Sequence, residues 1–83
     1  MEPMTRAEDL RVIVRLLCTY YETTPTALGS QVGLSRASMS HRMRGRIRFS
    51  WSELEHMAKV LNVKPTVWLD APERTLEYVS RST

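Results

Sequence analysis

Five arginines lie in a stretch of the chain that contains no acidic residue. The stretch runs from residue 23 to residue 52, and its formal charge of +5 comes from Arg36, Arg42, Arg44, Arg46 and Arg48. The chain as a whole carries +3, so the remainder is slightly acidic at −2 (+3 minus 5). Guanidinium groups donate hydrogen bonds in a planar fork that fits phosphate oxygens and the acceptors of guanine. Gathered on one surface, they predict a polyanionic partner; the alternative is a solvated arginine-rich loop that only aids solubility.

The remaining residues do not form a recognisable catalytic or metal site. The two histidines, His41 and His56, fall on different predicted helices, with no clustered acids and no glycine-rich phosphate loop. Cys18 is the only cysteine, which excludes an internal disulfide and a zinc site with two or more thiolates. No apolar run approaches the roughly 18 residues of a membrane span. We therefore expect no enzymatic activity, no cofactor, no metal and no membrane partner, in a cytoplasmic, nucleoid-associated protein.

The arginines must be positioned by one small helical domain, because 83 residues leave no room for two. A capping box of Thr5 and Glu8 predicts a first helix that starts near Arg6. Its apolar positions recur at steps of three and four and form one buried stripe, namely Leu10, Ile13, Val14, Leu17 and Tyr21.

Two shorter helices follow. Thr24 is the expected cap of a second helix from Pro25 to about Val32, which Gly33 ends. Ser35 is the expected cap of a third helix that runs to about Arg44 and stops at Gly45. Its inward positions are Met39 and Met43.

A fourth helix begins at the capping box of Ser50 and Glu53 and ends near Asn62. Lys64-Pro65 opens a short fifth helix. Ile47, Phe49, Trp51 and Trp68 are expected to pack on the core.

The second and third helices and the glycine turn between them form a predicted helix-turn-helix. Gly29 is expected to allow the two helices to approach closely. The run LGSQVGLSRASMSHRMRGR, followed by SELEHMAKVLNV, resembles the Cro and immunity-repressor type of helix-turn-helix domain, especially small versions from phages of actinobacteria and their hosts. The resemblance covers about Thr5 to Leu69. It implies an all-α, compact five-helix lambda-repressor-like DNA-binding domain with the helix-turn-helix at helices 2 and 3.

Asp70-Ala71-Pro72 ends the compact unit, so residues 1–70 are expected to form the DNA-binding domain and 71–83 a tail that is a candidate dimerisation element. The last eleven residues, Glu73 to Thr83, would form a strand, a short helix or a partly ordered segment.

The resemblance also implies a division of contacts. The third helix would enter the major groove, and the residues expected to contact bases are Arg36, Ala37, Ser38, Ser40 and His41. The residues expected to contact phosphates are Thr24, Thr26, Gln31, Arg42, Arg44, Arg46 and Arg48.

Three of these roles have alternatives. Arg36 can bind a phosphate instead of a base, and His41 can be a solvated surface residue. Arg42 stands where much of the wider family has an aliphatic residue, and Met43 where it has a glutamate. The ending Arg42-Met43-Arg44-Gly45 resembles the actinobacterial branch. Arg42 therefore either reaches a phosphate or pairs with a carboxylate such as Glu53 or Glu55.

The sequence thus predicts a sequence-specific, double-stranded DNA-binding transcription regulator, a phage or prophage repressor that occupies an operator as a homodimer. RNA polymerase or another protein is left open as a further partner. One alternative is an antitoxin-like or excisionase-like protein, whose main partner is a protein held by Leu76, Tyr78 and Val79. A second alternative is a protein-interaction or RNA-binding module that keeps the fold without reading the groove.

Overall fold

The computed structural model describes residues 6–80, in which the regular secondary structure is entirely helical, without a strand. The α-helices are α1 (Ala7–Tyr20), α2 (Pro25–Gln31), α3 (Arg36–Met43), α4 (Trp51–Leu61) and α5 (Thr75–Ser80). Two 3-10 helices, Pro65–Leu69 and Pro72–Arg74, connect α4 to α5. The prediction of an all-α fold with the helix-turn-helix at the second and third helices is confirmed.

The start of α1 differs in detail from the prediction. The N-cap is Arg6, whose side chain caps nothing, and the Arg6 guanidinium pairs with the Glu8 carboxylate, at 3.0 Å from Nε to Oε1. Thr5, the other member of the predicted capping box, lies outside the described residues. Glu8 is therefore held by a cation next to the cap, and the helix still begins where its acidic first turn indicates.

The core forms between α1, α4 and the first 3-10 helix. Ile13 and Leu17 of α1, Leu54 and Met57 of α4, and Trp68 are all fully buried. The Trp68 indole N–H donates to the Leu54 carbonyl at 2.8 Å, so the largest buried side chain also satisfies its only polar group. The predicted fifth helix is this five-residue 3-10 helix, Pro65–Leu69. The segment is short and opens with a proline that donates no backbone hydrogen bond.

The last described residues form a helix, which is one of the three structures that the sequence left open. Thr75 and Val79 on α5 are fully buried, and α5 packs against α1. The Tyr78 hydroxyl donates to Asp70 Oδ2 at 3.0 Å, which joins α5 to the end of the first 3-10 helix. Residues 81–83 of the predicted tail lie outside the described residues.

The turn between α2 and α3 forms as the sequence predicts. Gly33 has a φ of +85°, its N–H donates to the Ser30 carbonyl at 3.1 Å, and the Leu34 N–H donates to the Gly29 carbonyl at 2.8 Å. This is the double hydrogen bond of a Schellman motif, which needs a left-handed residue and therefore favours glycine. The Ser35 hydroxyl then accepts from the N–H three residues later at 3.1 Å and starts α3.

The contact between α2 and α3 depends on the missing side chain of Gly29. A Cβ at this position would lie 2.8 Å from Met39 Cγ and 2.9 Å from Met39 Cβ. Both atoms lie close to the α3 backbone, so Met39 cannot give way by moving its flexible end. The prediction that Gly29 permits the close approach of the two helices is confirmed.

We expect Gly29→Ala to lower the free energy of unfolding by about 1 to 3 kcal/mol, because overpacking outweighs the better helix propensity of alanine. Ser30→Ala is the matched control, since Ser30 is exposed on the same helix; its effect should stay within about 0.5 kcal/mol. Urea denaturation of both variants measures the difference. A Gly29→Ala protein as stable as the wild type would contradict the close packing.

Candidate nucleic-acid interface

The first turns of α3 present the residues predicted to contact bases. Arg36 and Ala37 are exposed, and Ser38, Ser40 and His41 are half-buried, while Met39 faces the core. Arg36 and Ser40 are one turn apart, as are Ala37 and His41, so these four residues form two adjacent rows on the outer side of α3. Such a surface offers a cation, a methyl group and small hydrogen-bonding groups along one short helix.

Helix α2 and its N-cap Thr24 are the first of the two predicted sources of phosphate contacts. Thr24, Thr26 and Gln31 are exposed. The Thr24 hydroxyl oxygen accepts from the Ala27 N–H at 3.1 Å, which caps α2 and leaves the hydroxyl proton available to an acceptor. The region that contains α2 and α3 holds no acidic residue that would repel an anion.

Arg42 pairs with a carboxylate, one of the two roles that the sequence left open. Its Nε and Nη2 donate to the two oxygens of Glu53, each at 2.9 Å, and its Nη1 donates to the Ser38 carbonyl at 2.9 Å. The side chains of Arg42 and Glu53 are only 13% and 22% exposed. With all three guanidinium nitrogens engaged inside the protein, this geometry does not support the predicted phosphate contact of Arg42.

The Arg42–Glu53 pair connects α3 to the start of α4. Glu53 Oε1 also accepts from the Ser50 N–H at 3.0 Å, and the Ser50 hydroxyl accepts from the Glu53 N–H at 3.1 Å, which completes the predicted capping box. The hydrogen bonds from Arg42, with a smaller contribution from the Ser50 N–H, lower the pKa of Glu53 below its ordinary value. A single carboxylate thus caps one helix and holds the neighbouring one.

The loop between α3 and α4, residues 44–50, carries the exposed arginines Arg44, Arg46 and Arg48, and we call it the basic loop. Gly45 begins the loop with a φ of +81°, and the Arg46 N–H donates to the His41 carbonyl at 2.9 Å. The loop is therefore tied to the end of α3 by a second Schellman-type turn. Within residues 6–80, no carboxylate forms an ion pair with any of these three arginines or with Arg36.

Arg11 of α1 reaches the same loop, and sequence reasoning did not find it. Its Nη1 lies 2.7 Å from the point where a Cβ of Gly45 would be, so the guanidinium rests against the turn. Among the described residues Arg11 has no ion pair. In the sequence, Arg11 appeared only as a residue outside the buried stripe of α1, and no local signal links positions 34 residues apart (45 minus 11). We call Arg11, Arg36, Arg44, Arg46 and Arg48 the basic set.

Two residues predicted to pack on the core are exposed instead. Ile47 is 44% and Trp51 39% exposed, whereas Phe49 packs against the core and Trp68 is buried. Trp51 is the first residue of α4 and directly follows the basic loop, and its side chain remains partly accessible to water.

The described part of the chain shows no sign of a metal site or a membrane span. Residues 6–80 contain no group of three or more His, Cys, Asp or Glu side chains that could hold a metal ion. No helix among them is both long enough and apolar enough to cross a bilayer.

We expect Glu53→Gln to lower the free energy of unfolding at neutral pH by about 1 to 2 kcal/mol, because the hydrogen bonds lose their charge. Since the folded state lowers the pKa of Glu53, this contribution is present above the unfolded pKa, ordinarily near 4.5, and is lost as pH falls below it. The stability curves of wild type and variant should therefore converge in acid. Denaturation at a series of pH values measures this convergence.

Glu55→Gln is the control, because Glu55 is exposed on the same helix and was the other candidate partner of Arg42. Its stability should follow that of the wild type at every pH. Equal losses in the two glutamate variants would mean that the Arg42–Glu53 pair does not stabilise the protein.

The chain matches a family model described as a helix-turn-helix domain over residues 9–68. A solved structure titled as that of the hypothetical transcription factor NHTF from Neisseria is similar, with 27% sequence identity, 93% of each chain covered and a TM-score of 0.66. No curated protein matches the chain. The family and the fold indicate a DNA-binding regulator and not an enzyme. With more than half of its length matched by the family model, this chain belongs to the helix-turn-helix domain family.

Proposed function

We propose that the protein is a sequence-specific repressor that occupies operator DNA, of the Cro or immunity-repressor type found in phages and prophages. The observation that carries the proposal is Arg36, which is exposed, opens α3 and has no ion pair among the described residues. An arginine at the start of a recognition helix donates two hydrogen bonds to guanine in the major groove. Ala37, Ser38, Ser40 and His41 complete the base-reading surface.

In this proposal the rest of the surface binds the DNA backbone. Thr24, Thr26 and Gln31 contact phosphates from α2, and the loop arginines Arg44, Arg46 and Arg48 contact them from the end of α3. Arg11 joins them from α1, while Arg42 acts by positioning α3. These contacts add affinity that depends on salt and reads no sequence.

In the antitoxin-like or excisionase-like alternative, a protein partner would bind the three apolar tail residues. The structure leaves fewer of these side chains accessible than the sequence suggested. Of the three apolar tail residues, Val79 is fully buried and Tyr78 is half-buried and bonded to Asp70. Leu76 alone is exposed. A solvent-exposed arginine at the start of α3 matches the contact that a recognition helix makes with guanine, which favours DNA over a protein as the partner.

The proposal is tested by selection from a random duplex library at about 150 mM salt, where non-specific affinity is already reduced. An enriched motif that contains guanine is expected. An inverted repeat in the motif would show that two copies bind. A folded protein that enriches no sequence would refute the proposal.

We expect Arg36→Ala to relax specificity at one base pair of the selected motif, at a cost of about 1 to 3 kcal/mol on the cognate duplex alone. Arg46→Ala should weaken binding to cognate and random duplexes alike, because a phosphate contact reads no sequence. Fluorescence anisotropy with both duplexes measures the two effects. An equal loss on both duplexes for Arg36→Ala would remove Arg36 from the base-reading residues.

We expect Arg11→Ala to weaken DNA binding and to lower the slope of log K against log salt by about 1, because one phosphate contact is lost. Lys59→Ala is the matched control for the lost charge, since Lys59 is exposed in the last turn of α4, far along that helix from the basic loop. The same titrations at several salt concentrations compare the variants. Identical slopes for the two variants would exclude Arg11 from the interface.

A further inference from the structure

Glu53 engages an arginine that the sequence predicts to contact DNA. Its two carboxylate oxygens accept hydrogen bonds of 2.9 Å from Nε and Nη2 of Arg42. A phosphate group binds a guanidinium through the same paired donors, so Glu53 occupies the donors that a DNA phosphate would need. Every member of the basic set, in contrast, lacks an ion pair within residues 6–80. The carboxylate of Glu53 therefore competes with DNA for Arg42.

Arg42 lies at the edge of the proposed DNA surface. It directly follows His41 and is one turn after Ser38, two residues expected to contact bases. Arg44 and Arg46, just beyond it, are exposed, whereas the Arg42 side chain is only 13% exposed. Since these two arginines are expected to contact phosphates, we expect the same stretch of DNA backbone to be within reach of Arg42 once its carboxylate partner is removed.

The same ion pair holds the turn of α3 that carries base-reading residues. Arg42 Nη1 donates to the Ser38 carbonyl at 2.9 Å, so the guanidinium connects Glu53 to both ends of this turn. Ser40 and His41 lie between these ends. Hydrogen bonds to base edges need side chains held within about 0.5 Å of the productive geometry. The position of this turn relative to α4, and with it the base contacts, therefore depends on Glu53.

These two effects of Glu53 act on different kinds of DNA binding. A phosphate contact adds affinity for any duplex, so a cation withheld from DNA lowers the affinity for all sequences. A fixed turn of α3 adds affinity only where base contacts form. Together they lower the non-specific affinity and raise the ratio of specific to non-specific affinity, which decides whether a regulator finds its operator among competing sites.

We propose that Glu53 is a specificity-determining residue, which withholds the Arg42 cation from the DNA backbone and holds the base-reading turn of α3 in place. The second part rests on the proposed function, because it assumes base reading; the first rests only on the DNA binding that the family indicates. An acid that merely repelled DNA would weaken binding to every duplex alike. Glu53 instead strengthens binding to the operator and weakens binding to other DNA.

The test compares the wild type and Glu53→Gln in binding to the enriched duplex and to a random duplex of the same length, from about 50 to 200 mM salt. Glutamine can still accept from the Ser50 N–H and keep the capping box, but it gives Arg42 no charged partner. Glu55→Gln is the matched control, because it removes the same charge from an exposed position of the same helix. Fluorescence anisotropy measures binding, and circular dichroism checks that each variant is folded.

On the random duplex, we expect Glu53→Gln to make the slope of log K against log salt steeper by about 1, which corresponds to one added phosphate contact. A fourfold rise in salt then weakens this binding about fourfold more than it weakens binding by the wild type. The preference for the enriched duplex should fall about tenfold, as for a lost base contact. Glu55→Gln should change neither quantity.

An unchanged slope, or a preference for the enriched duplex that Glu53→Gln leaves intact, would overturn the proposal. If the library selection enriches no motif, the slope on the random duplex still decides whether Glu53 withholds Arg42 from DNA. The failure of this inference and that of the proposed function are therefore distinguishable.

Arg42→Met examines the withheld cation and replaces Glu53→Gln if that variant is unfolded. We expect the wild-type slope on the random duplex, because Arg42 makes no phosphate contact, whereas Arg46→Ala should lower the slope by about 1. Combining Arg42→Met with Glu53→Gln should also restore the wild-type slope. A slope that Arg42→Met lowers as much as Arg46→Ala does, or a double variant that keeps the steeper slope, would overturn the proposal.

Discussion

The bidentate ion pair between Arg42 and Glu53 is the interaction on which the proposed DNA surface depends. It joins the last turn of α3 to the capping box of α4, and its third hydrogen bond, from Arg42 to the Ser38 carbonyl, is anchored in α3 itself. Both side chains are mostly shielded from water, so the pair holds a defined geometry better than an exposed one would. The loop of residues 44–50 is fixed at both ends as a result.

With Arg42 engaged internally, the charge of the surface has a different origin from the one that the sequence suggests. Four arginines of the acid-free stretch remain without an ion pair among the described residues, and Arg11 of α1 comes to lie against the Gly45 turn. Positive charge without nearby acids is costly for folding and favourable for a polyanion. The helix-turn-helix core, closed by Gly29 against Met39, places Arg36 at the exposed start of α3 beside this charge.

The sequence predicts those turns and helix caps that residues close together in the chain determine. Gly33, Ser35 and the box of Ser50 and Glu53 are signals within a few residues, and the structure forms each turn and cap accordingly. Such local signals do not reveal contacts between residues that are far apart in the chain. The sequence left the partner of Arg42 open and gave no indication that Arg11 meets the Gly45 turn.

The burial of Ile47 and Trp51 was predicted wrongly, and the structure of the last described residues was left open, for a related reason. Ile47 lies in a loop and Trp51 at the first position of α4, where the packing of the whole chain decides whether an apolar side chain is covered. In the same way, α5 is stabilised by burying Thr75 and Val79 against the rest of the core, which its own sequence does not show.

Backbone amide chemical shifts, recorded by NMR while a selected duplex with one half-site is added, locate the DNA surface most directly. The amides of Arg11 and of residues 24–27, 36–41 and 44–48 should shift together, and those of α5 should not. Shifts confined to α1 and α5, or no shifts in a folded protein, would contradict the assignment of α3 and the basic loop to DNA.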